Sequence, residues 1–364
     1  MFATGLHQRV ITASLGVAAL VLAGCGGSTV AGSNGGSQPT ASGPIPTADS
    51  ASLLPKAKSE GTLVWYTSNT RPNATKIKDL FEATYPGVHI ELFQAGGSQV
   101  LSKVGSELNG GGLQADVVDY SDGAAIVDQA KDGLFARYEP EHADQIPANL
   151  KDPQGFWVSS GSFLTATIAY NTNAIKANDA PTSWKDLLDP RWNKKVAFGS
   201  PDYAGTALTT LAGWQKALGA DYVDKLGANG LQVMQSFGDV ENALVSGQAP
   251  VGVVLSFRAL ADQAEGKPIK VIAPVEGPVE IITTLGINAK AAHPNAARLF
   301  ENFLFTDQVQ KALASTYYFP ARTGFSVPGE TDVAQQKLIS PDLATVSNTK
   351  YVADLKQAFK KATS

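Results

Sequence analysis

The sequence predicts an α/β protein made of two lobes with a ligand cleft between them. Two observations point there. Short β-rich runs alternate with helical periods along both halves of the chain, and about 310 residues follow the low-complexity N-terminal stretch, enough for two cores rather than one. "TLVWYTSN" (62–69) is an apolar run that ends in turn residues, as a strand does. Ile77, Leu80 and Phe81 then recur on one helix face between Asn73 and Tyr85, and Pro86-Gly87 stops that helix. "VHIELF" (88–93) is the next strand. Gly96-Gly97-Ser98 opens a helix carrying Leu101, Val104 and Leu108, and "ADVVDY" (115–120) is a third strand. Asp122-Gly123 leads to a helix closed by Gly133, a natural C′ glycine. This β-α order predicts a parallel sheet covered by helices. The second half repeats the style, with strands at 165–171, 195–199, 249–255 and 268–274, and helices at 206–218, 239–246, 258–265 and 295–304.

The N-terminus has its own character. Val10 to Leu22 is mostly apolar and too short to span a bilayer, so it fits the core of an export signal. It ends in Leu22-Ala23-Gly24-Cys25, which resembles the bacterial lipobox and implies cleavage before Cys25 and lipidation of its sulfur. Cys25 is the only cysteine in the chain, so it serves no internal disulfide. Acyl chains add ~0.8 kcal/mol of membrane affinity per methylene, and two or more anchor stably. Residues 26–50 are rich in Gly, Ser, Thr and Pro, the composition of a flexible tether. The expected division is a signal peptide at 1–24, a tether at 25–50, lobe I at 51–160 and lobe II at 161–281. Residues 282–364 then return to lobe I and end in helices that pack across both lobes. The formal charge of −4 argues against nucleic acid.

Six stretches carry a family resemblance: "GTLVWYTS" (61–68), "FEATYPGVHIEL" (81–92), "LQADVV" (113–118), "IAYNTNAI" (168–175), "PTSWKDLLDPRWNKKVAFGSP" (181–201) and "HPNAARLFENFLFTDQVQKALA" (293–314). With them the chain resembles the extracellular solute-binding proteins of ABC importers, in the iron(III)-type branch of the type II periplasmic-binding fold. The resemblance implies two lobes joined by extended hinges and closing on one small ligand. It also implies delivery to a membrane permease and its ATPase. The expected protein is a lipid-anchored monomer on the outer face of the cytoplasmic membrane, without cofactor or catalysis. The sequence has no G-x-S-x-G, H-E-x-x-H or G-x-x-x-x-G-K-[ST] motif.

Ligands of open α/β sheets sit beyond the C-terminal strand ends, where helix N-termini favour anions. Ser68, Asn69 and Thr70 follow the first strand and serve as helix cap, ligand contact or both. Ser98 opens the next helix with the same two readings, and Tyr120-Ser121 ends the third strand at the cleft rim. "SPDYAGTA" (200–207) is the best anion signal, with Tyr203, then Gly205 allowing close backbone approach and Thr206 adding a hydroxyl. Its bland alternative is a plain turn. In "VVLSFRAL" (253–260), Ser256 is a hydrogen-bonding candidate, Phe257 a wall and Arg258 a bidentate partner for an anion. The expected ligand is therefore a small anion of the phosphonate or phosphorylated class.

Ferric iron is the alternative. Iron-binding relatives carry an adjacent tyrosine pair after a second-lobe strand and often a histidine after the first strand. The matching positions here hold Ser256-Phe257 and, near the histidine's place, Thr70, which removes the expected ligands. Tyr317-Tyr318 is the only adjacent tyrosine pair in the chain. It precedes Phe319-Pro320, where an extended chain sends neighbouring side chains to opposite faces. It also resembles the family's ordinary Y-x-P-x-R segment, so packing or lining is its expected role.

Overall fold

The computed structural model describes residues 43–121, 123–328 and 337–364. The signal segment, Cys25, the first part of the expected tether and Asp122 lie outside the described residues. Each lobe is organised around its own sheet.

Helix α1 (Ser50–Glu60) is capped by Asp49 and leads into β1 (Thr62–Thr67). Helix α2 (Arg71–Thr84), β2 (His89–Gln94), α3 (Gly97–Asn109), β3 (Val117–Tyr120) and α4 (Ala124–Lys131) follow. The chain then crosses to β4 (Ser162–Asn171), β5 (Val196–Gly199), α5 (Gly205–Leu218), α6 (Tyr222–Ala228) and β6 (Gln232–Met234). Next come α7 (Phe237–Ser246), β7 (Val251–Leu255), α8 (Ser256–Ala264), β8 (Ile269–Ile272) and β9 (Val279–Ile282). The return comprises β10 (Thr284–Ile287), α9 (Pro294–Leu304), α10 (Asp307–Ala314), β11 (Phe319–Pro320), α11 (Leu343–Val346) and α12 (Thr349–Ala362).

Sheet I has the order β10-β3-β1-β2, parallel except for β10. Leu63 and Trp65 of β1 are fully buried, and Trp65 meets Phe300 of α9 at 4.9 Å. Sheet II runs β11-β4-β7-β5-β6, with β8 and β9 also paired to β4. Its core gathers Trp184, Phe198, Trp214 and Tyr222 into tilted and edge contacts. This sheet is mixed rather than parallel. Strand β4 is antiparallel to β7, β8, β9 and β11, because it enters from lobe I and runs against the β5-β7 direction.

Among the described residues, three crossings join the lobes. Residues 159–161 lead into β4, Thr283 alone separates β9 from β10, and residues 315–318 link α10 to β11. The Ser160 hydroxyl donates to Thr283 Oγ1 at 2.7 Å, tying two of the crossings together. Helix α11 packs on α4 of lobe I, while α12 packs on α6 and α5 of lobe II.

The expected tether ends earlier than residue 50. From Gly43 the chain is held to the body: Glu139 N–H donates to Pro46 O, and the Tyr138 hydroxyl donates to Ala48 O at 2.9 Å. A fixed strap rather than a free linker precedes α1.

Candidate functional site

A cleft of about 700 Å³ opens where the strand ends of the two lobes face each other. Ser68, Asn69, Thr70, Ser98, Tyr120 and Ser121 line it from lobe I. Tyr203, Gly205, Thr206 and Arg258 line it from lobe II.

The first-strand loop is built on hydroxyls. Ser68 Oγ accepts from Ser121 N–H at 2.6 Å, which ties the β1 loop to the end of β3. Beneath it Asp119 is buried, and its Oδ2 accepts from the Thr67 hydroxyl at 2.9 Å and from Asn69 Nδ2. Burial pushes the Asp119 carboxyl up to about 7, against the pull of those two donors. Among the described residues its Oδ1 has no partner.

Helices α2, α5 and α8 all begin at this cleft, at Thr70, Ala204 and Leu255, and none has a side-chain cap. Their first-turn N–H groups therefore lack the acceptor that a capping Ser or Asp supplies. Helix α7 also starts here but is capped by Ser236, and α12 is capped by Asn348. Thr70, the expected cap of α2, makes no such bond. Its hydroxyl instead lies 3.1 Å from that of Tyr318.

Among the described residues, two cations reach the cleft, Arg258 and Lys356, and two acids, Asp128 and Asp202. Asp128 pairs with Lys131 at 3.0 Å, and Asp202 lies 3.9 Å from Lys356. Arg258 Nε donates to Glu241 Oε2 at 2.5 Å. Burial pushes Glu241 up to about 7 despite that arginine. Uncapped helix N-termini and salt-bridged acids thus face the same cleft.

Ser256 requires correction. It is only 3% exposed and faces the sheet, donating to Thr165 O at 3.1 Å and pairing with the Thr165 hydroxyl. The β4–β7 register sets Ala166 opposite Leu255, which brings Thr165 beneath Ser256. Its neighbour Phe257 lines the cleft instead.

The tyrosine pair divides. Tyr317 takes a left-handed turn at φ 62° after α10 rather than the expected extended backbone, and packs half-buried on the core. Tyr318 lines the cleft, with its ring 4.5 Å from that of Phe257. Burial raises the Tyr318 phenol and pushes Tyr120 up to about 12. Both changes make a phenolate harder to form.

Sequence reasoning missed Asp128, Asp202 and Lys356 as lining residues. Lys356 shares a helical face with Val352, which identifies an amphipathic helix, but nothing local indicates that the helix lies against the cleft.

Comparison with known proteins agrees with this architecture. The profile of the family described as bacterial extracellular solute-binding protein matches residues 114–346. The chain belongs to that family. Among curated relatives of this solute-binding protein, a Sinorhizobium fredii protein named a probable ABC transporter periplasmic-binding protein is 28% identical, covering 65% of this chain and 68% of its own. The Salmonella typhimurium spermidine/putrescine-binding periplasmic protein is 30% identical over 64% of this chain and 68% of its own. Another from that organism, provisionally named as 2-aminoethylphosphonate-binding, is 26% identical over 65% and 71%. Iron-bound HitA from Pseudomonas aeruginosa superposes with a TM-score of 0.71 at 20% identity, covering 82% of this chain and 99% of its own. AfuA from Actinobacillus pleuropneumoniae, with fructose-6-phosphate bound, gives 0.68 at 22% identity, over 83% and 98%. The solute-binding protein thus has the two-lobe type II periplasmic-binding fold.

Proposed function

We propose that this solute-binding protein is the receptor of an ABC importer for a small organic anion of the phosphonate or phosphorylated class. Anchored through a lipidated Cys25, it works as a monomer at the outer face of the cytoplasmic membrane and hands its ligand to the permease, which the ATPase drives. One observation carries the anion reading. Uncapped helix N-termini, those of α2, α5 and α8 among them, share one cleft with Arg258. Phosphoryl oxygens suit that set, because backbone N–H groups and a guanidinium fork both bond such oxygens well. The ligand set is Ser68, Asn69, Thr70, Ser98, Tyr120, Ser121, Tyr203, Gly205, Thr206 and Arg258.

A thermal-shift panel of phosphate monoesters, alkylphosphonates, dicarboxylates and spermidine tests it. A true ligand at 100 times its Kd adds about 2.7 kcal/mol of stability. A shift with spermidine and none with any anion rejects the reading.

Ferric iron is the second reading, favoured by the three phenols of Tyr120, Tyr203 and Tyr318 on one cleft. A visible tyrosinate-to-iron band on adding ferric citrate supports it, and a colourless, unshifted protein removes it.

A further inference from the structure

Glu241 stands one layer behind the cleft. Its side chain is 5% exposed, whereas Arg258, which it holds at 2.5 Å, is 46% exposed and lines the cavity. That bond uses only the Nε–H of the guanidinium. Neither Nη group has a partner among the described residues, and one lies beside Gly238 in the first turn of α7. The arginine is thus fixed at its inner edge and open at its outer edge, the arrangement a bidentate anion contact requires.

The charges around Glu241 are few. Strands β4, β5, β6 and β7, on which α7 packs, contain no ionisable acid or base except the phenol of Tyr170. On α7 itself, Asp239 is engaged with Ser236. From α8, Arg258 pairs with Glu241, and Asp262 one turn further on raises the Glu241 carboxyl. Asp262 is in turn tied to Lys267 at 2.5 Å, and Lys267 also reaches Glu265 at 2.9 Å. Lys270 on neighbouring β8 is exposed.

A buried carboxyl with a second carboxyl nearby keeps its proton more readily. Asp262 is engaged by Lys267, and burial with Asp262 nearby favours the protonated form of Glu241. A protonated Glu241 still accepts the Arg258 Nε–H through its carbonyl oxygen, so the guanidinium stays in place. Its charge, however, is no longer cancelled. We propose that Glu241 is the positioning residue for the anion-contacting Arg258, and that the proton it carries sets how much of the arginine's charge a ligand meets.

The proposal rests on the anion reading above. Burial and Asp262 bring the Glu241 carboxyl to about 7, within the range where its occupancy changes under mild conditions. From pH 6 to pH 8 the protonated fraction falls from about 0.9 to about 0.1, so an anion selective for that form weakens up to about tenfold. Binding at pH 7 then takes up a fraction of a proton. Asp119, behind the opposite wall, titrates in the same range. Variants must therefore separate the two groups.

The test is calorimetric titration with sulfate, whose charge is constant from pH 6 to 8, in two buffers of different ionisation heat. For wild type and for Asp119→Asn the expected result is a Kd that rises several-fold, up to about tenfold, over that range, with proton uptake at pH 7. Glu241→Gln keeps the acceptor for Nε–H and should bind equally well at both pH values, with wild-type acid affinity and reduced proton uptake. Glu241→Leu, which removes the acceptor, should bind weakly at both. An unchanged wild-type Kd between pH 6 and 8, or an unchanged profile in Glu241→Gln, overturns the role of Glu241 and leaves the anion reading standing. If neither sulfate nor inorganic phosphate binds wild type at either pH, both readings fall. Should Glu241→Gln not fold, the wild-type and Asp119→Asn profiles with their proton uptake decide alone.

Discussion

The Tyr318 hydroxyl lies 3.1 Å from Thr70 Oγ1, while the same ring leans on Phe257 at 4.5 Å. Thr70 belongs to lobe I and Phe257 to lobe II, so one side chain on the third crossing touches both walls of the cleft. Tyr318→Phe removes only the hydroxyl contact and should lower stability by about 1 kcal/mol in urea unfolding. Tyr318→Ala empties a buried ring site and should lower it by about 3–5 kcal/mol. If Tyr318→Phe also abolishes solute binding, the hydroxyl contacts the ligand rather than bracing the loop.

Asp119 predicts how stability depends on pH. Its folded-state value, about 7, stands above the unfolded value near 3.9. The folded protein keeps this proton after the unfolded chain has released it. The favourable contribution is complete below about pH 4 and is lost as pH rises through 7, by at most roughly 1.4 kcal/mol per unit. Chemical denaturation at pH 5 and pH 7.5 measures the decline, and Asp119→Asn should make it shallower.

Gly161 sits on the first crossing at φ +81°, with the Leu304 carbonyl 3.1 Å from where a Cβ would project. Gly161→Ala therefore meets backbone strain and a close oxygen together. It should destabilise the fold by more than about 1 kcal/mol. Thr283→Val, which breaks the bond from Ser160, should lose about 1 kcal/mol. If both variants keep the wild-type melting temperature, the crossings are not braced in this way.

Helix α12 closes against α6 only because residue 227 is glycine. A Cβ there would stand 2.0 Å from the Ala362 carbonyl oxygen. Gly227→Ala should lift the end of α12, shift Lys356 at the cleft, and cost about 1–3 kcal/mol. Thermal melts and solute titration check it, and an unaltered melting temperature with unaltered affinity would count against α12 as a cleft wall.

Much of this arrangement is legible locally. Leu63 and Trp65 on one face of β1, and Ile77 and Phe81 on α2, show their periods without any partner. Turn residues at the strand ends mark the loops that reach the cleft, and Tyr203, Gly205 and Thr206 follow β5 in that way. Less legible was β4, whose full burial hides the alternation that would indicate which neighbours it takes. Helix α1 was also unread, because Pro55 interrupts its pattern although Asp49 caps it soundly.

The sequence alone determined the α/β alternation, the loop chemistry at the strand ends and the family, because each is written in contiguous residues. Tertiary structure decided which neighbour faces the cleft. Ser256 and Phe257 are adjacent, yet the β4–β7 register turns the serine to Thr165 and leaves the ring on the cleft. Tyr317 and Tyr318 are adjacent too, and a left-handed turn sends only the second to Thr70. Likewise Phe359, packed near Phe198, sets α12 where Lys356 meets the cleft. Register, turn handedness and helix docking depend on partners distant in the chain, so no local pattern encodes them.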